Sequence, residues 1–288
     1  MTEDRRTWLG GSDVAAVLGI SPWKTAIDLW LEKTAPEPLP QVESPQMRRG
    51  KRKERYILEW AAEDYGLKVY AINRRVTDTT LAFLRAEIDA EDCDGNNIEI
   101  KTVSPFMADE WGDPDTDAIP IHYTAQVQHG LGVTSRKRCF VFAEIGDEIW
   151  RYVVERDDAL IEHMRQECAK FWGCVQNRAR PAIDYDRPSS ALSVVRKLYP
   201  GTDGGTLMAD DDALAWRAVY ESSIDSIKRY QAVADGAKAH LLESMGEAAE
   251  LQFGDGMMFR RKVISRKEVT IVQPACSYVD FRLAKQTS

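Results

Sequence analysis

The sequence predicts a mixed α/β core followed by a helix-plus-hairpin extension. Three observations carry that prediction. Helical stripes alternate with short β-like runs along the first part of the chain, a long amphipathic stretch follows, and a Gly-Asp-Gly turn between apolar runs comes last. With 288 residues and 44% apolar content, the chain can bury one full core and still carry an appendage of fewer than about 100 residues.

Gly10-Gly11-Ser12 leads into the apolar segment Val14–Leu18, which reads as a short helix capped by Ser12 or Asp13. Ser21-Pro22 breaks it, and Thr25 caps a second helix carrying Ile27, Leu29, Trp30 and Leu31. Four prolines make 35–45 a loop. From Gln46 to Tyr65, residues Ile57, Leu58, Ala61, Ala62 and Tyr65 form one helical stripe that Gly66 ends. Three strands are then expected at Lys68–Ile72, Leu81–Ala86 and Asn97–Thr102, with Asp94-Gly95-Asn96 as the last turn. A helix over His122–Val133 precedes a hairpin, Cys139–Ile145 and Glu148–Glu155 around Gly146-Asp147. Asp157 caps a helix to about Gln176. Domain boundaries follow: a core over 1–185, a linker over 186–209, and an extension over 210–288. In that extension Asp210–Met245 is one helix, with Trp216, Tyr220, Ile227, Tyr230 and Leu241 spaced for contact with a partner or with the core.

The N-terminus is polar with no apolar leader, and no stretch approaches the ~18 apolar residues a membrane span needs. A soluble, cytoplasmic protein is expected. Five cysteines without a CxxC pair exclude a disulfide framework and a structural zinc knuckle. The net charge of −8 excludes a passive nucleic-acid coat. Basic residues nevertheless cluster at Arg48, Arg49, Lys51, Arg52, Lys53 and Arg55, and again at Arg136, Lys137 and Arg138. Such runs suit a single DNA channel on an acidic enzyme; the alternative is a solvated helix start.

In Asn97-Ile98-Glu99-Ile100-Lys101, strand alternation puts the isoleucines on one face and Glu99 with Lys101 on the other. Asp89, expected at the end of the preceding strand, lies near enough across the turn to meet Glu99. Two converging carboxylates bind a hard cation, and a neighbouring lysine can orient or deprotonate water. Alone, the spacing is more often that of a plain cross-strand salt bridge. Two more polar groups bear on it. Glu54 precedes Ile57 and Leu58 by helical steps and so continues the apolar stripe inward, unless the helix start frays; Gln126 lies beside the packed face of its own helix. Two helices and a hairpin each directing a polar group inward favour a site.

These residues resemble the YqaJ-type viral recombinase family, which includes phage lambda exonuclease and belongs to the PD-(D/E)XK nucleases. The resemblance rests on Gly10–Gly19 with Ser21-Pro22-Trp23-Lys24-Thr25, Arg49-Gly50 followed by Glu54, Asp89, Ile98–Thr102, Tyr123-Thr124-Ala125-Gln126-Val127-Gln128-His129 running into Val133-Thr134, and Val153–Asp157. It spans roughly residues 5–178. One departure stands out: the family has Pro-Asp-Gly where this chain has Ile88-Asp89-Ala90. Ala90 takes positive φ less readily than glycine, so an altered turn is expected there.

The resemblance implies an α/β (α+β) fold of the restriction-endonuclease-like type, a central mixed sheet flanked by helices. It implies a Mg²⁺-dependent exonuclease, with Mn²⁺ as a substitute, that digests double-stranded DNA 5′→3′ and leaves 3′ overhangs for an annealing protein. Asp89, Glu99 and the Ile100 carbonyl would hold Mg²⁺, Glu54 a second ion; Lys101 would position water and Gln126 would support it. Ser12 and Arg5 would meet the 5′-phosphate, although Arg5 is equally an exposed N-terminal arginine. Arg49 and Arg52 would follow the DNA backbone, and a homo-oligomer, a trimeric ring, is expected. The competing functions are a RecB-like endonuclease and a non-cutting scaffold at DNA ends. Iron–sulfur versions of the former need four cysteines bracketing the motifs, which this chain lacks.

Overall fold

The computed structural model describes residues 4–38, 43–265, 267 and 279–282. It comprises two compact units, Met1–Leu198 and Tyr199–Ser288. Cys276 and part of the proline-rich loop lie outside the described residues.

In the first unit, Arg5–Thr7 form a 3₁₀ turn and helix α1 spans Gly11–Val17. Gly10, not Ser12 or Asp13, caps α1. Asp13 sits one turn inside and accepts the Gly10 N–H at 3.1 Å, satisfying a donor that the helix start leaves open. Helix α2 (Ala26–Thr34) is capped by Thr25 as expected. Helix α3 (Pro45–Tyr65) has Ser44 as cap and proline in its first turn; Gly66 closes it at φ 65°, the left-handed cap that glycine takes without strain.

Strands β1 (Val69–Thr77), β2 (Arg85–Asp92), β3 (Asn97–Val103), β4 (Arg138–Ile145) and β5 (Glu148–Glu155) form one sheet in sequential order. All neighbours are antiparallel except β3 and β4, which are parallel. A parallel pair needs a crossover, and helix α4 (Ile121–Thr134) supplies it. The sheet is thus mixed, with its functional strand at the centre.

Two expected strands are misplaced. The first runs on to Thr77, and the second begins at Arg85 rather than Leu81. Asp78 accounts for the gap: its carboxylate takes the N–H groups of Thr80 and Leu81 at 2.8 and 2.9 Å, turning the chain before β2 begins.

The faces of the sheet carry separate cores. The larger joins α1, α2, α4 and helix α5 (Asp158–Gln176) to the sheet through Leu9, Val14, Leu29, Leu131, Val141 and Ile161. The smaller packs α3 through Ile57, Leu58 and Ala61 onto Ala90, Ile98, Ile100 and Phe142. Helix α6 (Pro188–Leu198) occupies residues expected to be a linker. Its Ala191 and Val194 are buried, Lys197 pairs with Asp28 at 2.5 Å, and Arg187 donates to the Ser21 carbonyl at 2.9 Å. The serines and the proline that read as a linker are a helix start, and the first unit runs past 185 accordingly.

In the second unit, helix α7 (Asp211–Met245) is capped by Asp210, and strands β6 (Glu250–Gln252) and β7 (Met258–Arg260) form the expected hairpin. Trp216, Tyr220, Ile227 and Tyr230 are exposed along α7. Among the described residues, no helix is long and apolar enough to cross a membrane. None of the four described cysteines is in a disulfide.

Candidate active site

The site begins where two strands part. The β2–β3 ladder pairs Glu91 with Asn97 and Ala90 with Ile98. One residue further along β2, the Asp89 carboxylate replaces the backbone and accepts the Ile100 N–H at 2.8 Å. Asp89 is therefore inside a strand, not at the end of one. Ala90 needs no glycine-like turn: it is paired with Ile72 and Ile98, and its methyl group is fully buried in the smaller core. Ala90 lies within β2, which continues to Asp92, and does not take positive φ.

Glu99 and Lys101 share the face of β3 turned toward α4. Glu99 is buried, and its Oε1 accepts both the Lys101 ammonium at 2.5 Å and the Gln126 amide at 2.6 Å. Lys101 also donates to Gln126 Oε1 at 3.2 Å, closing a triangle, and lies 4.7 Å from the Tyr123 ring centre. The ion pair foreseen across strands is thus within β3, with Gln126 locked into it. Gly11 permits the approach of α1, since a Cβ there would stand 2.9 Å from Gln126 Cγ.

Electrostatics reflect crowded acids. Burial, reinforced by the charge of Glu99, raises the Asp89 carboxyl well above its ordinary value. The same two causes raise Glu54, which reaches the site from α3 half-buried. Burial works to lower the Lys101 ammonium, but Glu99 and Asp89 outweigh it and hold its pKa above the usual lysine value. The three acids do not converge on one point: among the described residues, no three His, Cys, Asp or Glu side chains are placed to hold a metal together. The donor chemistry is nonetheless all carboxylate oxygen, which suits a hard divalent cation rather than zinc.

A cavity of about 130 Å³ joins these groups to the N-terminal segment, with Arg5, Ser12, Asp89, Glu99 and Gln126 in its wall. Arg5 is not a loose N-terminal side chain. Its guanidinium lies over Trp8 at 4.3 Å, 3.5 Å from Asp13. Asp13 is buried beside Lys33, whose ammonium donates to it at 2.9 Å and to the carbonyls of Arg5 and Trp8 at 2.7 and 2.5 Å. Burial opposes the Asp13 charge, yet Lys33, Arg5 and Lys24 together hold its pKa below the ordinary value.

The basic run on α3 divides. Lys53 donates to buried Glu144 at 2.5 Å and Arg49 stands 3.8 Å from the same carboxylate, whereas Arg52 is exposed on the helix. In the second run, Arg136 and Arg138 are taken up by Glu91 and Glu155. Sequence reasoning missed Asp13, Lys33 and Glu144. The first two carried a helical signal, two charges on otherwise apolar helix faces; Glu144 carried only its place in an apolar strand.

Residues 2–137 match the family model of the YqaJ-like viral recombinase domain. This chain carries a YqaJ-like viral recombinase domain. It is 32% identical over 206 residues to the uncharacterized protein YqaJ of Bacillus subtilis strain 168, a match covering 69% of this chain and 63% of that protein. The chain thus spans less than two thirds of that relative's length. Its fold is similar to that of the alkaline exonuclease LHK-Exo from Laribacter hongkongensis. That structure aligns at TM-score 0.50 and 20% identity over 67% of this chain and 94% of the other. The complex of LHK-Exo with dAMP aligns at TM-score 0.51 and 20% identity, covering 66% and 96%.

Within the YqaJ-like domain, the segment Tyr123–His129 divides its roles by helical face. Gln126 faces the acids, while Gln128 and His129 face inward. Gln128 donates to the Glu155 carbonyl at 2.7 Å and accepts from the Asp157 N–H at 2.9 Å, fixing the turn from β5 into α5. His129 Nε2 meets the Arg85 carbonyl at 2.8 Å, tying α4 to the start of β2.

Proposed function

We propose that the YqaJ-like domain is a Mg²⁺-dependent exonuclease acting 5′→3′ on double-stranded DNA. The observation that supports this reading best is the Glu99–Lys101–Gln126 triangle beside Asp89, at the point where the sheet opens into a cavity walled by Arg5 and Ser12.

Asp89, Glu99 and the Ile100 carbonyl would hold one Mg²⁺, with Glu54 near a second; Mn²⁺ has the same preference for oxygen. When bound, the ions supply positive charge to the phosphate oxygens as hydrolysis proceeds. The chain supplies the rest. Lys101 positions the attacking water, and Gln126 fixes Lys101 by holding both it and Glu99. Water oxygen joins phosphorus as the bond to the 3′-oxygen breaks, so the products are a 5′-mononucleotide and a shortened strand. Arg5 and Ser12 receive the terminal 5′-phosphate, and Arg49 and Arg52 follow the duplex backbone. The emerging 3′ overhang would pass to an annealing protein, and a ring-shaped homotrimer would enclose the duplex.

The deciding experiment incubates the protein with linear duplex DNA carrying 5′-phosphate or 5′-hydroxyl ends, in Mg²⁺ or EDTA. Release of mononucleotides from phosphorylated ends in Mg²⁺ alone is expected. Equal cutting of closed circular DNA overturns the exonuclease mode in favour of an endonuclease. DNA binding without cleavage in Mg²⁺ points to a scaffold.

A further inference from the structure

The segment Ser21-Pro22-Trp23-Lys24-Thr25 has no task in the chemistry above, yet its tryptophan is held in an unusual position. Ser21 is buried, and its hydroxyl accepts the N–H groups of Trp23 and Lys24 at 3.3 and 3.2 Å. Thr25 then starts α2. The indole between these two fixed points is 70% exposed. A large apolar ring left in water on an ordered turn is a candidate contact surface.

The ring is not isolated. It meets His122 edge-on, with centres 4.8 Å apart and planes at 85°, and stands 6.0 Å from Tyr123. His122 and Tyr123 are 4.1 Å apart, and Tyr123 in turn lies under the Lys101 ammonium. One continuous row of rings therefore runs from the Lys101–Glu99–Gln126 triangle out to solvent. His122 Nε2 within that row is buried without a hydrogen-bond partner among the described residues. Buried polar atoms are ordinarily paired, so a row that serves packing alone has no reason to leave one open.

We propose that Trp23, backed by His122 and Tyr123, is a stacking platform for an unpaired nucleobase next to the scissile phosphate. The proposal rests on the nuclease reading, and the position of the row supports it. The row starts at the Lys101 ammonium, where the scissile phosphate would lie, and ends at Trp23, and flat aromatic faces take any base without reading its sequence. A duplex end must fray before its last phosphate reaches a buried triangle, and a platform that holds the freed base favours the frayed form. Trp23 has the exposed ring face that this requires, which His122 and Tyr123, both half-buried, lack.

The test uses the full chain with Ca²⁺, so that binding is read without turnover. Duplexes carry 2-aminopurine, in turn, at each of the three terminal nucleotides of either strand; matched duplexes carry an abasic nucleotide there. At one position, wild type is expected to quench the 2-aminopurine emission. Trp23→Ala loses that quench and binds about tenfold more weakly, Trp23→Phe keeps most of both, and on the abasic duplex wild type and Trp23→Ala bind alike. If Trp23→Ala weakens intact and abasic duplexes equally, or neither, the platform is wrong and the nuclease reading stands. If wild type binds none of these duplexes, the nuclease reading fails and the platform with it.

Discussion

Glu99 and Gln126, 27 residues apart in sequence, meet at 2.6 Å between a carboxylate oxygen and an amide nitrogen. The contact fixes the carboxylate's orientation and leaves Gln126 Oε1 to accept from Lys101. Removing a group that orients a ligand typically costs about 10–100-fold in metal affinity or activity. Gln126→Ala is therefore expected to weaken Mn²⁺ binding, read by calorimetry, and to slow DNA hydrolysis by about that factor. Unchanged affinity and rate would remove Gln126 from the site.

Lys101 is predicted to act on the reaction rather than on binding. Lys101→Met should lower kcat by about 10²–10⁴-fold, the range for a positioned group that handles the proton or water. Affinity for duplex DNA in Ca²⁺ should change little. An active Lys101→Met enzyme sinks the assignment.

The buried pair Asp13–Lys33 predicts a stability effect with a compensating double variant. Lys33→Met removes the nearest cation from a carboxylate that is only 4% exposed. An unpaired buried charge costs about 3–5 kcal/mol, and with Arg5 at 3.5 Å and Lys24 at 3.8 Å still facing Asp13 the loss should fall below that range. Urea denaturation should show that loss. Asp13→Asn combined with Lys33→Met should recover most of it, because the asparagine oxygen still accepts the Gly10 N–H. Because Asp13 also stands beside Arg5, the double variant should blunt any preference for 5′-phosphorylated ends.

His129 predicts a pH effect of known sign. Burial lowers its pKa below the ordinary 6.5, only partly opposed by the bond to the Arg85 carbonyl. Above about pH 6.5 neither the folded nor the unfolded chain carries the proton. Below it the unfolded chain binds a proton that the folded chain refuses, so stability falls as pH drops, by up to about 1.4 kcal/mol per unit. His129→Gln should flatten this part of the profile between pH 7.5 and 5.5, measured by urea midpoints. An identical slope in the variant means another group sets the dependence.

How much of this was legible beforehand depends on the range of the interaction. Glu99 and Lys101 were readable because strand alternation is local, and Gln126 because helical spacing placed it beside a packed face. The caps Thr25 and Asp157 and the cap glycine Gly66 were readable for the same reason. Asp89 was identified but misplaced. Its strand starts late because of the Asp78 turn, and its bond to Ile100 depends on the ladder ending at Ala90, which no local pattern encodes. Asp13 was read only as a candidate cap and Lys33 not at all, because each looks like an ordinary helix charge until α1 and α2 are set side by side. Helix α6 was taken for a linker because its stability comes from docking on Asp28 and Ser21, far away in sequence.

The central place of β3 has a consequence for changes of length. Its neighbours grip it on both sides, seven residues matched one for one with β4 from Asn97–Cys139 to Val103–Ile145. Because side chains alternate, inserting or deleting a single residue within 98–101 exchanges the inner and outer faces, sending Ile100 into the cleft and Glu99 into the apolar layer under α3. The length of that strand therefore constrains the site more tightly than its composition does. A substitution there can be offset at neighbouring positions, whereas a change of length is expected to be tolerated only in the turn at 93–96 and in the crossover outside α4.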